Sequence, residues 1–213
     1  MRLKLLVLVL PVVLAACGSD DGDNTTLDGA ASDGGNSTDS ALTIDARTPD
    51  SATVDAAAAA FTLTSSAYVE GGVIPNAHSC RGVNTSPALS WSAGPAGTLS
   101  YAIVFTDITP GAVLIHSAIW DIPASVTSLP EGVMKVAMPV VPAGSKQCRS
   151  YDPSVIGYNG PCPGSMHTYQ FKLYAINAAA LPGVTTNSTR AQVQTAVNAN
   201  MLGTATLTGT FTP

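Results

Sequence analysis

Residues 61–213 are predicted to form a mainly β domain with short helices, its strands packed as two sheets, and three observations support this. Two apolar runs rich in β-branched and aromatic residues are bounded by Pro and Gly. A third run alternates at period two. Only one stretch, near the C-terminus, spaces its apolar residues four apart, as a helix requires.

Leu99 to Thr106 is the first strong strand and Ala112 to Asp121 the second. Both alternating faces of the second are largely apolar, which predicts a strand covered on both sides. Period-two counting puts His116 on the side shared with Leu114, Ala118 and Trp120. In His167 to Ile176, the residues His167, Tyr169, Phe171 and Leu173 share one face, and Thr168, Gln170 and Lys172 share a wetter one. Further on, Ser188 or Thr189 is placed to cap a helix through Val193, Val197 and Met201. Gly203 would end that helix, and Thr204 to Phe211 reads as a closing strand. Layers of this kind, with many Pro and Gly turns between them, make a two-sheet packing the expected architecture.

The first 17 residues have a different pattern. Arg2 and Lys4 precede an apolar run from Leu5 to Val13, followed by Leu14-Ala15-Ala16-Cys17. That order is a secretory signal, and its apolar run falls well short of the ~20 residues a spanning helix needs. Leu-Ala-Ala-Cys resembles a bacterial lipobox, in which Cys17 is acylated and becomes the mature N-terminus. Each buried acyl CH₂ adds ~0.8 kcal/mol, so two or more chains would anchor the protein to a membrane without an amphipathic helix. Gly18, rather than Asp, after the cysteine resembles lipoproteins sorted to an outer membrane. The expected location is the bacterial cell envelope.

Residues 18–60 hold no aromatic side chain and are dominated by Asp, Gly, Ser, Thr, Asn and Ala. Such a composition cannot bury enough apolar surface to offset ordering entropy, so a disordered acidic tether is expected, with a reach on the order of 35 Å. The whole chain has 14 acidic and 9 basic residues, a net charge of −5. Nine of the acids lie between Cys17 and Phe61, which leaves the domain nearly neutral. It therefore lacks the basic excess of a nucleic-acid binder.

Export implies an oxidising compartment, where Cys80, Cys148 and Cys162 can pair. Cys148 with Cys162 is the favoured pairing, because the two bracket a short polar loop and closing it is worth ~3 kcal/mol. Cys80 with Cys162 is the alternative. The chain has only three histidines, at 78, 116 and 167. His78, in a polar stretch, reads as a solvated loop residue. His116, mid-strand, needs a hydrogen-bond partner, and Asp107 at the end of the preceding strand is the expected one. His167 follows the turn-forming run Gly157 to Gly164, whose backbone N–H groups can serve an anion together with His167 and Tyr169.

At these residues the sequence resembles the phosphatidylethanolamine-binding protein family, in its bacterial Raf-kinase-inhibitor-like branch. The resemblance spans nearly all of 61–213. It rests on Phe61 to Ser65, Ile74-Pro75, Cys80 to Pro87 with Leu89 and Trp91, Asp107, His116, Ile122 to Ala124, Gly157 to Pro163, His167 to Tyr169, and Leu173 to Ala175. It implies two antiparallel sheets in a β-sandwich with short peripheral helices. It also implies a small pocket for phosphate or a phospholipid headgroup, lined by Asp107, His116, Gly160, Pro161, Pro163, His167 and Tyr169. In that pocket Asp107 would orient His116 and favour its protonated form.

The expected function is therefore a membrane-anchored binding module that takes a small phosphate-bearing anion. The resemblance also implies a second reading, an inhibitor or interaction protein acting on an envelope protease or kinase-like partner. A hydrolase is the weaker alternative, since the domain has no Gly-x-Ser-x-Gly elbow. A metal site of His116, His167 and Asp107 is chemically sensible but has no short His spacing behind it, so neither metal nor cofactor is expected.

Overall fold

The computed structural model describes residues 60–213. The export signal, Cys17 and the tether up to residue 59 lie outside the described residues.

Nine strands and one α-helix make up the domain. The strands are β1 (Leu63–Ser65), β2 (Gly72–Val73), β3 (Leu89–Trp91), β4 (Ser100–Asp107), β5 (Leu114–Pro123), β6 (Ser128–Leu129), β7 (Lys146–Gln147), β8 (His167–Ile176) and β9 (Met201–Phe211). Helix α1 (Arg190–Asn200) precedes β9, and a single 3-10 turn covers Asn76–His78. Two sheets form, a small one ordered β1-β3-β6 and a large one ordered β2-β9-β8-β4-β5-β7. All pairs are antiparallel except the short β2–β9 pair, which is parallel.

The alternation along the central strands accounts for the layering. Tyr101, Ile103 and Phe105 of β4 and Phe171 and Leu173 of β8 turn toward the small sheet and pack with Leu63, Leu89, Trp91 and Leu129. Ala102 and Val104 of β4 and Tyr174 and Ile176 of β8 turn the other way, where Leu181 and the helix residues Val193 and Val197 cover them. Each large side chain buried in this way contributes roughly 1.5–3 kcal/mol. A sheet covered on both faces requires apolar residues at consecutive positions, as β4 has.

Helix α1 starts where a capping box forms: the Thr189 hydroxyl accepts from Gln192 N–H, and the Gln192 side chain accepts from Thr189 N–H. The helix ends at Asn200, earlier than the apolar spacing implies. Met201 is not a helical core position; it pairs with Ile176 as the first residue of β9 and is 47% exposed. The backbone ladder with β8 outcompetes one more helical turn there, and Gly203 is a strand residue opposite Ala175.

Two irregularities in the β4–β5 ladder matter for the site. Between Phe105↔Ser117 and Thr106↔Ile115 the second strand carries one extra residue, His116. A bulge of this kind re-aims a side chain. The second irregularity falls near Asp121, whose φ of 57 places it in the left-handed region. Its carboxylate accepts from Leu181 N–H at 2.7 Å and from Lys146 Nζ at 2.8 Å.

The cysteine pairing favoured from sequence is not the one formed. Cys80 bonds to Cys162, with Cα atoms 5.3 Å apart, and Cys148 is a free thiol. The Cys148 backbone does meet the loop, accepting from Gly157 N–H at 2.9 Å. Its side chain, however, is buried in the helix-side core with Ala118 and Trp120. Cys80 is brought to the loop by its own N–H, which donates to the Pro161 carbonyl at 3.0 Å.

Candidate functional site

A cleft of about 210 Å³ opens at the end of the large sheet where β4 leaves, β5 enters and β8 begins. Asp107 and Tyr169 are register partners on β4 and β8, so antiparallel pairing alone brings Asp107 beside the start of β8. His167 Nδ1 donates to Asp107 Oδ2 at 2.6 Å, and Thr109 N–H donates to Oδ1 at 2.9 Å. Burial pushes the Asp107 carboxyl up. The His167 side chain, the Thr109 backbone and hydroxyl and the His167 charge together outweigh this and hold it below the ordinary carboxylate value. With Nδ1 engaged, Nε2 is the His167 ring atom left for a ligand.

The expected link between Asp107 and His116 is not made. His116 Nδ1 lies 3.0 Å from the Asn159 carbonyl oxygen. A carbonyl can only accept, so Nδ1 carries the proton and Nε2 of the neutral ring is an acceptor. The bulge also overturns the face expected for His116. It does not join Ala118 and Trp120 but sits edge-on to Phe105 and Tyr169, at centroid distances of 5.4 and 5.3 Å, and packs on Tyr151 at 4.4 Å. Burial lowers its affinity for a proton. The Asn159 and Gly160 backbones and the Asp107 charge oppose this, the Arg190 charge adds to it, and the net shift is downward. Asp107 therefore does not orient His116; its charge favours the protonated ring, as expected, but burial outweighs it.

The loop 157–164 forms one side of the cleft, and it is braced from behind. Asn84, with φ of 57, uses both ends of its amide: Nδ2 donates to Asn159 Oδ1 at 2.8 Å, and Oδ1 accepts from Gly160 N–H at 2.8 Å. Tyr158 Oη donates to the His78 carbonyl at 2.6 Å. Gly160 packs so closely on that segment that a Cβ would lie 2.0 Å from the His78 carbonyl oxygen. His78 is itself buried, with Nδ1 2.8 Å from the Thr85 carbonyl, and is not the solvated loop residue expected from its polar surroundings.

Of the seven residues expected to line the pocket, Asp107, His116, Pro163, His167 and Tyr169 do so. Gly160 and Pro161 do not; they join the loop to the Cys80 segment. Sequence reasoning missed Ala112, Leu114, Tyr151 and Cys162 as lining residues. Tyr151, an aromatic isolated among polar turn residues, was the available signal. Burial pushes the Tyr169 hydroxyl up, and the neighbouring Asp107 charge pushes it further, so it remains a donor. No group of three or more His, Cys, Asp or Glu positioned to hold a metal occurs among the described residues. The cleft thus offers a donor at Tyr169, an acceptor at His116, the Nε2 of His167, which donates only when that ring carries both protons, and one ionised carboxylate already engaged.

Residues 64–212 match the family model of phosphatidylethanolamine-binding protein. The UPF0098 protein YbcL of Escherichia coli is 36% identical over 169 residues, covering 75% of this chain and 91% of that protein. In Mycobacterium tuberculosis, a protein named as a lipoprotein, LppC, is 32% identical over 211 residues, covering 96% of this chain and 92% of its own length. The crystal structure of E. coli YbcL, described as a new member of the mammalian PEBP family, matches with a TM-score of 0.65 at 34% identity. It covers 72% of this chain and 98% of that one.

Proposed function

Because the chain belongs to the phosphatidylethanolamine-binding protein family, we propose that it is a lipid-anchored envelope protein whose cleft binds a phosphate or a phosphorylated headgroup. The observation that carries this reading is the Asp107–His167 contact of 2.6 Å, which fixes one imidazole at the mouth of a cleft of about 210 Å³. With its ring doubly protonated, His167 donates from Nε2 and, with the Tyr169 hydroxyl, meets phosphate oxygens, while the backbone of the 157–164 loop supplies further polar groups. His116 Nε2, as an acceptor, suits a ligand that also brings a proton, such as a monoprotonated phosphate or an ammonium on the headgroup. No lysine or arginine lines the cleft, so binding is modest.

Binding rather than turnover is the better reading of the lining residues. Their only hydroxyls belong to tyrosines, and the Cys162 sulfur is held in the disulfide. Anchoring through acylated Cys17 is supported by the Leu14-Ala15-Ala16-Cys17 sequence and by the LppC relative, whose similarity covers 96% of this chain. Gly18, rather than Asp, after the cysteine supports display from an outer membrane. A protein partner is the second reading, favoured by two exposed apolar residues next in sequence to cleft-lining ones, Val113 beside Leu114 and Met166 beside His167, which are 70% and 64% exposed.

The test is the thermal midpoint of the full chain in mild detergent near pH 6, with and without millimolar phosphate or phosphoethanolamine. A ligand that binds only the folded state raises the midpoint in proportion to the logarithm of its concentration. A rise of several degrees in the parent, absent in His167→Ala, is expected. Equal midpoints in the parent with and without both ligands would remove the reading, and capture of a protein from envelope extract would then support the second.

A further inference from the structure

A groove of about 550 Å³ adjoins the cleft and shares Leu114 and Tyr151 with it as a common wall. Its floor is the start of β5. Its sides are the 149–153 turn and the segment 186–191 that leads into α1. Arg149 and Arg190 line it, one from each side, and neither lies within ion-pair distance of a carboxylate among the described residues. Arg81, Lys135 and Lys172 are also outside any ion pair among the described residues, and what sets Arg149 and Arg190 apart is that both line one groove. Lys146, by contrast, is committed to Asp121.

The two guanidiniums are held in place by backbone oxygens. Arg190 Nη1 donates to the Ser150 carbonyl and, at 3.3 Å, to the Arg149 carbonyl, while its Nε–H is buried without an acceptor. Arg149 Nη1 donates to the Pro153 carbonyl at 2.5 Å. The acid in the same turn, Asp152, accepts through Oδ1 from Ser154 N–H and Oγ at 2.9 and 2.7 Å and pairs with neither guanidinium. Carbonyls orient a cation without neutralising it, and a buried N–H without an acceptor carries a desolvation cost. An oxyanion in the groove would supply a counter-charge for both arginines, and guanidinium groups bind oxyanions with good geometry. The Arg190 charge also opposes protonation of His116, on the far side of the shared wall.

We propose that cleft and groove form one channel for a ligand with two anionic groups on a short linker. The first group sits at the Asp107–His167 pair and the second between Arg149 and Arg190. The chemical class is a bisphosphate, free or as a phosphorylated lipid headgroup. This inference rests on the reading of the cleft as a phosphate site.

Calorimetric titration of the full chain in mild detergent near pH 6 tests it, with inorganic phosphate and 1,4-butanediol bisphosphate as probes. The parent should bind the bisphosphate about tenfold more tightly than phosphate, as one added charge-assisted contact allows. Arg149→Gln should bring the bisphosphate back to the affinity of phosphate and leave phosphate itself unchanged. Arg190 is not the residue to replace, because it also holds the 149–150 backbone. Equal affinities in the parent would overturn the channel and leave the cleft standing. Absence of both would overturn the two together. Bisphosphate that binds His167→Ala as tightly as the parent would place it in the groove alone and overturn the shared channel. Vesicles of phosphatidylcholine with and without phosphatidylinositol 4-phosphate separate the sources: capture only of the doped vesicles assigns a lipid, and a preference confined to the soluble bisphosphate assigns a free metabolite.

Discussion

His167 and Asp107 meet at 2.6 Å across two neighbouring strands, while His116, on the other side of β4, leans on the Asn159 carbonyl. The two histidines of the cleft therefore have different partners. Asp107 has a folded value below its ordinary 3.8. Its stabilising contribution is complete above about pH 4 and is lost as pH falls through the lower folded value. Urea midpoints measured from about pH 5 down to about pH 2 should fall in the parent and fall less in Asp107→Asn, which keeps an acceptor but cannot ionise. Identical acid slopes would mean the carboxylate is not an anchor.

For His116 the proton is taken up first by the unfolded chain, because burial lowers the folded value below 6.5. Stability should fall as pH drops from about 6.5 through the folded value, then level off. His116→Gln retains a donor for the Asn159 carbonyl and does not titrate. Thermal midpoints across that window should be flatter in the variant, and an unchanged slope would place the titration at another residue.

Cys80 and Cys162 are 82 residues apart in sequence. Closing so long a loop is worth about 4 kcal/mol on the chain-entropy model, so Cys80→Ser should lose about that much in denaturant unfolding. Cys148 is 1% exposed, and burial raises its thiol. Alkylation followed by mass spectrometry should leave Cys148 untouched in the native protein and label it in denaturant. Rapid native labelling would contradict its place in the core.

Gly160→Ala must displace either the loop or the His78 carbonyl, which lies 2.0 Å from the added carbon. Overpacking against backbone costs roughly 2 kcal/mol, and phosphate binding should weaken as Pro163 shifts. Gly164→Ala is the control, since nothing lies within 4 Å of a Cβ there. A difference in chemical-denaturation midpoint between the two variants is expected; none would show that the loop yields freely.

The central strands were legible because burial on both faces leaves a mark in composition. β4, β5 and β8 lie within two residues of their expected bounds, and the Thr189 cap of α1 was one of two candidates named. Five of seven pocket residues were legible through the family resemblance. What failed depended on contacts between segments distant in sequence. Period-two counting cannot register a bulge, so His116 was assigned to the wrong face. Loop length favoured Cys148 for the disulfide, while the fold delivers Cys80 to Cys162 through the Pro161 carbonyl. Asn84 gives no periodic or compositional signal, and its role depends on Asn159 and Gly160, 75 and 76 residues away.

The bulge gives residue 116 an unusual independence. On either side of it the pairs Thr106↔Ile115 and Phe105↔Ser117 keep their own register, so the residue between them belongs to neither core alternation. Substitution there leaves every neighbouring pair in phase, whereas deleting one residue would restore strict alternation and withdraw the side chain from the cleft. A point substitution at this position therefore alters the cleft wall without disturbing strand register, whereas a length change would take the side chain out of that wall.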